Sequence, residues 1–319
     1  MEKVTLDALP EFLIGQVEDT DAMTGCTAIV VPKGAVCGVD VRGGSPGTRD
    51  IAALDPRCNR KEVHGVMLSG GSSYGLDAAC GLMNLLEEKK IGRPANVTVI
   101  PNVCCCVLFD LLCGSSSVRP DAKMGRAAGE NAFAHVPFKS GNYGAGCGAT
   151  VGKPGGLKVA MKGGIGQAAF KQGDLIVTAV VAVNCVGDVV ENGRIIAGAR
   201  DAAGGFAGSE EIILSYYNKE KDLFADNTVI GCIMTNANIN KAQAGRIAAR
   251  GQDAIAKTIC PSHSIYDGDT ILTLASGKVD TTIDALGILA EHAVSEAIID
   301  AVKSAESYGD YISYKDYVK

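Results

Sequence analysis

A threonine hydroxyl is a poor nucleophile at neutral pH and attacks only beside a base, so the residues around a threonine decide whether it can do chemistry. Thr228 follows Asn227 where a polar stretch, YNKEKDLFADN (Tyr217–Asn227), gives way to apolar TVIGCIMTNA (Thr228–Ala237). Downstream, Asp267 and Asp269 flank Gly268 in YDGDTILTLASG. Upstream, Asn184 ends a β-branched run at VNCVGD, and the glycine-rich GNYGAGCGATVGK delivers Lys153. Two carboxylates can orient an amine, and an amide or an ammonium can stabilise a developing oxyanion. Each feature also has a plain structural reading. Asn–Thr is a common dipeptide, Asp-Gly-Asp before a strand is a turn, and Asn at a strand end caps its own backbone.

The glycine loop does not fit phosphate binding. A P-loop needs G-x-x-x-x-G-K followed by Ser or Thr. Here Gly148 to Gly152 is one residue short, and Pro154 after Lys153 disfavours the helix start that a P-loop requires. Gly144, Gly146 and Gly148 do not match the dinucleotide pattern either. What remains is a tight backbone crossing, or a loop that carries Lys153 to a site.

The elements that must position these residues alternate. Thr24–Val31 and Ala35–Val41 read as two strands joined around Pro32–Gly34, Glu62–Leu68 as a strand, and Val97–Pro101 as another. GGSSYG leads into a helix with Leu76, Ala79, Cys80 and Met83 on one face. Pro120–His135 reads as a helix. Leu175–Val183 is a buried strand, and Thr228–Ala237 a strand beginning abruptly after an exposed loop. Helices are expected at Lys241–Ile259 and Asp280–Lys303. The second has an apolar stripe through Ile283, Leu286, Ala290, Ala293, Val294, Ala297, Ile298 and Ala301. Strands in hairpin-like succession argue for α+β sheets covered by helices rather than strict β-α-β winding.

Composition narrows the function. The 319 residues carry a net charge of −6, and Lys and Arg are scattered, which argues against nucleic acid as a partner. The apolar run around Ile176–Val183 is too short to span a bilayer. The N-terminal MEKVTLDALPEFLIG has no signal-peptide pattern, so a cytoplasmic location is expected. Of the 12 cysteines, Cys104, Cys105 and Cys106 stand in VCCCVLFDLLC. No C-x-x-C pair occurs, so they read as small buried hydrophobes, with no metal or cofactor implied.

Seven segments, from Gly25 to Gly277, resemble one known family in register: GCTAIVV, VRGGSPGTRD, VHGVMLSGGSSYGLDAACGL, GAGCGATVGK, AVNCVGD, DNTVIGCIMTNA and YDGDTILTLASG. The chain is similar to the β-aminopeptidase and L-aminopeptidase/D-esterase family, which includes the nylon-oligomer hydrolases. The resemblance implies a four-layer αββα sandwich of the ornithine acetyltransferase/aminopeptidase type. It implies one domain, 1–319, that cuts itself between Asn227 and Thr228 into 1–227 and 228–319.

Carried over by position, Thr228 is the nucleophile, Asp267 and Asp269 the acidic pair, Asn184 the oxyanion-hole amide and Lys153 the active-site lysine. Ser72, Tyr74 and Phe109 are expected at the substrate. Relatives of this branch have Tyr where this chain has Phe109, which removes one hydroxyl donor. The implied activity is hydrolysis of amide bonds in small peptides or amino-acid amides through a Thr acyl-enzyme. The implied assembly is a homo-oligomer, a tetramer of processed units or larger. The acidic pair would serve the Thr228 amine alone or also hold a substrate's amino group. An acyltransferase of the ornithine acetyltransferase type and an uncleaved, weakly active scaffold are the alternatives.

Overall fold

The computed structural model describes residues 1–218 and 227–319. Most of the expected polar linker before Thr228 lies outside the described residues. Ten strands form one hydrogen-bonded path that doubles over into two packed sheets. They are β1 (Glu2–Val4), β2 (Leu13–Asp19), β3 (Thr24–Val41), β4 (Gly47–Arg49), β5 (Val63–Ser69), β6 (Val103–Val107), β7 (Gly164–Gln172), β8 (Leu175–Asn184), β9 (Thr228–Ala237) and β10 (Thr270–Val279). The order is β1-β7-β8-β9-β10-β3-β5-β6-β4, with β2 also on β3. Only the β9–β10 and β5–β6 pairs on this path are parallel.

Four helices cover the outer faces: α1 (Ala78–Glu88), α2 (Ala122–Phe133), α3 (Lys241–Thr258) and α4 (Ile283–Ser304). Strand alternation sends successive side chains into different layers. In β9, Val229 and Ile233 pack under α3 and α4, whereas Ile230, Cys232 and Met234 face the space between the sheets. In β6, Cys104 and Cys106 point into that inter-sheet core and Cys105 points toward α1 and α2. The three adjacent thiols are therefore buried packing residues of two separate layers. The result is an α+β sandwich of four layers, helix–sheet–sheet–helix.

Several boundaries differ from the sequence reading. Thr24–Val41 is one continuous strand of 18 residues rather than two joined by a turn. Its first half pairs with β2 and β5 and its second half with β10. Pro32, without an N–H, and Gly34, at φ 77°, mark a register shift where the strand passes from one sheet to the other. The buried face of α1 is Ala78, Ala79, Leu82, Leu85 and Leu86, while Cys80 and Met83 are only half-buried. Leu76 belongs to a preceding 3-10 turn, so counting the helix from it sets the phase wrongly. The helix expected from Pro120 begins after Asp121, whose carboxylate accepts from the amides of Lys123 and Met124. The final helix begins after Thr282, which caps it in the same manner. Its stripe of Leu286, Ala290, Ala293, Val294, Ala297 and Ala301 is buried in the helix–sheet core.

Candidate active site

Three strand ends meet at one edge. In the antiparallel β8–β9 pair, Asn184 stands opposite Thr228. The parallel β9–β10 pair extends backward as a bridge from Asn227 to Asp267. The Asp267-Gly268-Asp269 turn therefore lies directly beside the Asn227–Thr228 bond. The Asn227 amide donates to the Tyr266 carbonyl at 2.8 Å. The Thr228 hydroxyl touches the carbonyl oxygen of Asn227. The Gly268 amide points at the same spot, 3.1 Å from the Asn227 carbonyl oxygen and 3.2 Å from Thr228 Oγ1. Gly268 has to be glycine, because a Cβ there would lie 2.4 Å from the Ser45 carbonyl oxygen and 2.7 Å from Pro46 Cα.

Both carboxylates are buried and fully engaged. Asp267 Oδ1 accepts from the Val186 amide at 3.2 Å, and Oδ2 from the Ser264 amide and hydroxyl at 3.1 and 2.5 Å. Asp269 Oδ1 accepts from the Val229 amide at 2.8 Å, and Oδ2 meets His263 Nδ1 at 2.7 Å. Burial, then the neighbouring charge of Asp269, raises Asp267 to about 6.

The glycine loop does carry Lys153 to the site. The backbone crossing is tight: Gly152 sits at φ 72°, and a Cβ there would lie 2.1 Å from the Ala199 nitrogen. The Gly152 and Lys153 amides donate to the Gly187 and Val186 carbonyls, at 3.0 Å each. Lys153 Nζ then donates to the backbone oxygen and to Oδ1 of Asn184, at 3.0 and 2.9 Å. Burial lowers its pKa to about 8. Asn184 Oδ1 also accepts from the Thr150 amide at 3.0 Å, and Asn184 Nδ2 donates to the Phe109 carbonyl at 2.8 Å. The amide of Asn184 thus ties β8 to Phe109, and a backbone donor at the Asn227 carbonyl is the Gly268 amide.

A cavity of about 200 Å³ opens over Thr228, walled by Ser45–Gly47, Ser72, Ser73 and Val107–Phe109. Ser72 and Phe109 line this cavity with Thr228. Tyr74 is not among the lining residues; its exposed ring lies under the Arg119 guanidinium, 3.7 Å from the ring centroid. Asp110 locks two walls together, accepting from the Gly71 amide and the Thr24 hydroxyl at 2.7 Å each. A concavity of about 920 Å³ near Leu54 and Lys241 includes none of the residues with candidate chemistry.

Sequence reasoning missed His263, Ser264, Asp110 and the Gly268 amide. A signal existed for Ser264: a Ser three residues before an Asp in a turn is placed to bond its carboxylate. His263 carried no signal that separates it from any other loop histidine.

Comparison with known proteins identifies the family and the fold. The model of peptidase family S58 matches residues 9–312. The chain is 36% identical over 315 residues to an uncharacterised aminopeptidase of Mycobacterium leprae, covering 91% of this chain and 85% of that protein. It is 29% identical over 315 residues to the 6-aminohexanoate-oligomer endohydrolase of Paenarthrobacter ureafaciens, covering 92% and 84%. The solved L-aminopeptidase D-Ala-esterase/amidase of Ochrobactrum anthropi, described as a variant of the Ntn-hydrolase fold, superposes with a TM-score of 0.64. It shares 14% identity and covers 97% of this chain and 90% of that one.

Proposed function

From the premise that this chain belongs to peptidase family S58, and so is a peptide- or amide-bond hydrolase, we infer that it is the precursor of a self-processing aminopeptidase or amidase with Thr228 as nucleophile. One observation carries the reading: the Thr228 hydroxyl lies against the Asn227 carbonyl, and the Gly268 amide is directed at both.

In processing, Thr228 Oγ1 attacks the Asn227 carbonyl carbon, and the hydroxyl proton passes to the Thr228 nitrogen that leaves. The Gly268 N–H donates to the oxyanion that forms. The Asn227–Thr228 C–N bond then breaks, leaving an ester on Oγ1 and a free α-amine on Thr228. Water hydrolyses the ester. The new amine titrates near ~8, so part of it is neutral at physiological pH and accepts the hydroxyl proton in later turnovers. Asp269, already bonded to the adjacent Val229 amide, is placed to orient that amine. In turnover, Oγ1 attacks a substrate amide bound in the cavity, the amine product leaves, and water releases the acyl group. The relatives' names favour small amino-terminal or amino-acid-like amides as substrates.

The test couples the two activities. Purified precursor is incubated, and both the fraction cut and the hydrolysis of a panel of amino-acid p-nitroanilides (α and β, L and D) are followed. Activity is expected to rise in proportion to the cut fraction. Full activity in an uncut chain would overturn the reading.

Two further outcomes follow from the site. The arrangement relies on an ionised Asp267 to accept from Val186 and Ser264, and on the positive charge of Lys153 at Asn184, opposite Thr228. With Asp267 raised to about 6 and Lys153 lowered to about 8, processing is expected to fall below pH 6 as Asp267 gains a proton, and above pH 8 as Lys153 loses one. A gel time course between pH 4.5 and 9.5 measures this; a flat profile would contradict it. Phe109 lines the cavity beside Thr228 without a donor on its ring. Phe109→Tyr is expected to raise amide turnover, by up to about 10²-fold if its hydroxyl reaches the oxyanion. Steady-state kinetics on cut protein check this, with the gain expected in kcat rather than KM.

A further inference from the structure

His263 is the histidine that the scheme above leaves unused. It precedes the Asp-Gly-Asp turn and holds a left-handed backbone at φ 56°, uncommon for a residue with a side chain. Both its backbone amide and its ring Nδ1 approach one oxygen, Asp269 Oδ2, at 3.2 and 2.7 Å. The other oxygen of that carboxylate accepts from Val229, the residue after the nucleophile. The histidine ring, the carboxylate and the first backbone amide after Thr228 therefore form one continuous hydrogen-bonded chain. The far ring nitrogen, Nε2, is buried with no hydrogen-bond partner among the described residues, so the ring's single bonded interaction is with Asp269.

We propose that His263 is a positioning residue for self-cleavage, fixing the direction of the Asp269 carboxylate beside the Asn227–Thr228 bond. A carboxylate next to a second carboxylate is pushed toward its neutral form. Here the neighbouring residues divide the pair. Ser264 serves Asp267 through its amide and hydroxyl, and His263 serves Asp269 through its ring and amide. With Nδ1–H donating to Oδ2 and the Val229 amide donating to Oδ1, the Asp269 carboxylate is held in line with Val229. Among the described residues, the titratable groups Lys153 and Cys185 also act on this pair, from the glycine loop and the segment after β8. Lys153 is committed to Asn184, and burial holds Cys185 as the neutral thiol, so neither replaces the imidazole at Asp269.

The assignment rests on the proposed cut at Asn227–Thr228, so wild-type precursor is run in parallel. His263→Gly removes the ring at a backbone conformation that glycine adopts freely. His263→Asn keeps a donor at the Nδ1 position in a residue that also tolerates left-handed φ. First-order self-cleavage is measured for each, with and without added imidazole. His263→Gly is expected to slow cleavage about 10- to 100-fold, the effect of losing a hydrogen bond to a charged group. Imidazole is expected to restore much of the rate, and His263→Asn to stay within a few-fold of wild type. Cleavage of His263→Gly at the wild-type rate would overturn the proposal. So would equal slowing of both variants without imidazole rescue, because that is the signature of packing alone. A wild-type chain that never cuts would overturn this proposal together with the function it rests on.

Discussion

Replacing Thr228 by alanine is expected to leave one uncut chain with no amide-hydrolysing activity. The change removes a hydroxyl and a methyl from the buried start of β9, and the backbone ladder to β8 and β10 does not depend on either. Gly268 N–H retains the Asn227 carbonyl as its acceptor. The variant should therefore fold and fail only in chemistry. Thr228→Ser keeps the attacking oxygen and is expected to cut, at a changed rate. A denaturing gel separates the outcomes, and processing of the alanine variant at the same bond would exclude Thr228 as the nucleophile.

The second large effect is expected at Lys153. Its ammonium is buried and spends its hydrogen bonds on Asn184, the residue opposite Thr228. Lys153→Met removes a positive charge from the nucleophile's surroundings and leaves Asn184 Oδ1 with only the Thr150 amide. Self-cleavage is expected to slow about 10- to 10²-fold, the scale of losing a hydrogen bond from a charged group that holds Asn184 opposite Thr228. Stability should not follow. Burial works against the charged lysine, which is why its pKa is lowered, and methionine of similar length carries no such cost. Thermal melts alongside the gel time course separate the two. Wild-type cleavage in Lys153→Met would remove the lysine from the mechanism.

The parts of this site that were readable from sequence are those where chemistry and strand ends coincide. Asn184, Thr228 and Asp267 each sit at a composition change near a strand end, which marked them as candidates, and the family resemblance supplied their roles. Spacing excluded phosphate binding by the glycine loop but left a tight crossing and a carrier of Lys153 equally open. Sheets covered by helices were readable from alternation and helix periodicity, the four layers from the family resemblance, and the cysteine run from its apolar neighbours. The path of β3 was not: Pro32 and Gly34 look alike at a turn and at a bulge, and only the partners on either side tell them apart. Tyr74 was misplaced for a related reason. Ser72 turns into the cavity while Tyr74, two residues on in the same 3-10 turn, faces solvent, and that phase depends on the left-handed Gly71 and Ser72. His263 and the Gly268 amide were beyond reach because their roles come from distance, not type. A backbone N–H has no sequence signature, and a histidine six positions before Asp269 has none until the turn folds.

The most direct measurement is the mass spectrum of the purified wild-type chain after incubation at pH 7, under denaturing conditions. Two polypeptides are expected, residues 1–227 and 228–319, the second beginning with a free Thr228 amine and together heavier than the precursor by one water. A single intact chain that hydrolyses amides, or a cut at any other bond in an active preparation, would contradict the assignment of Thr228 as a self-generated N-terminal nucleophile.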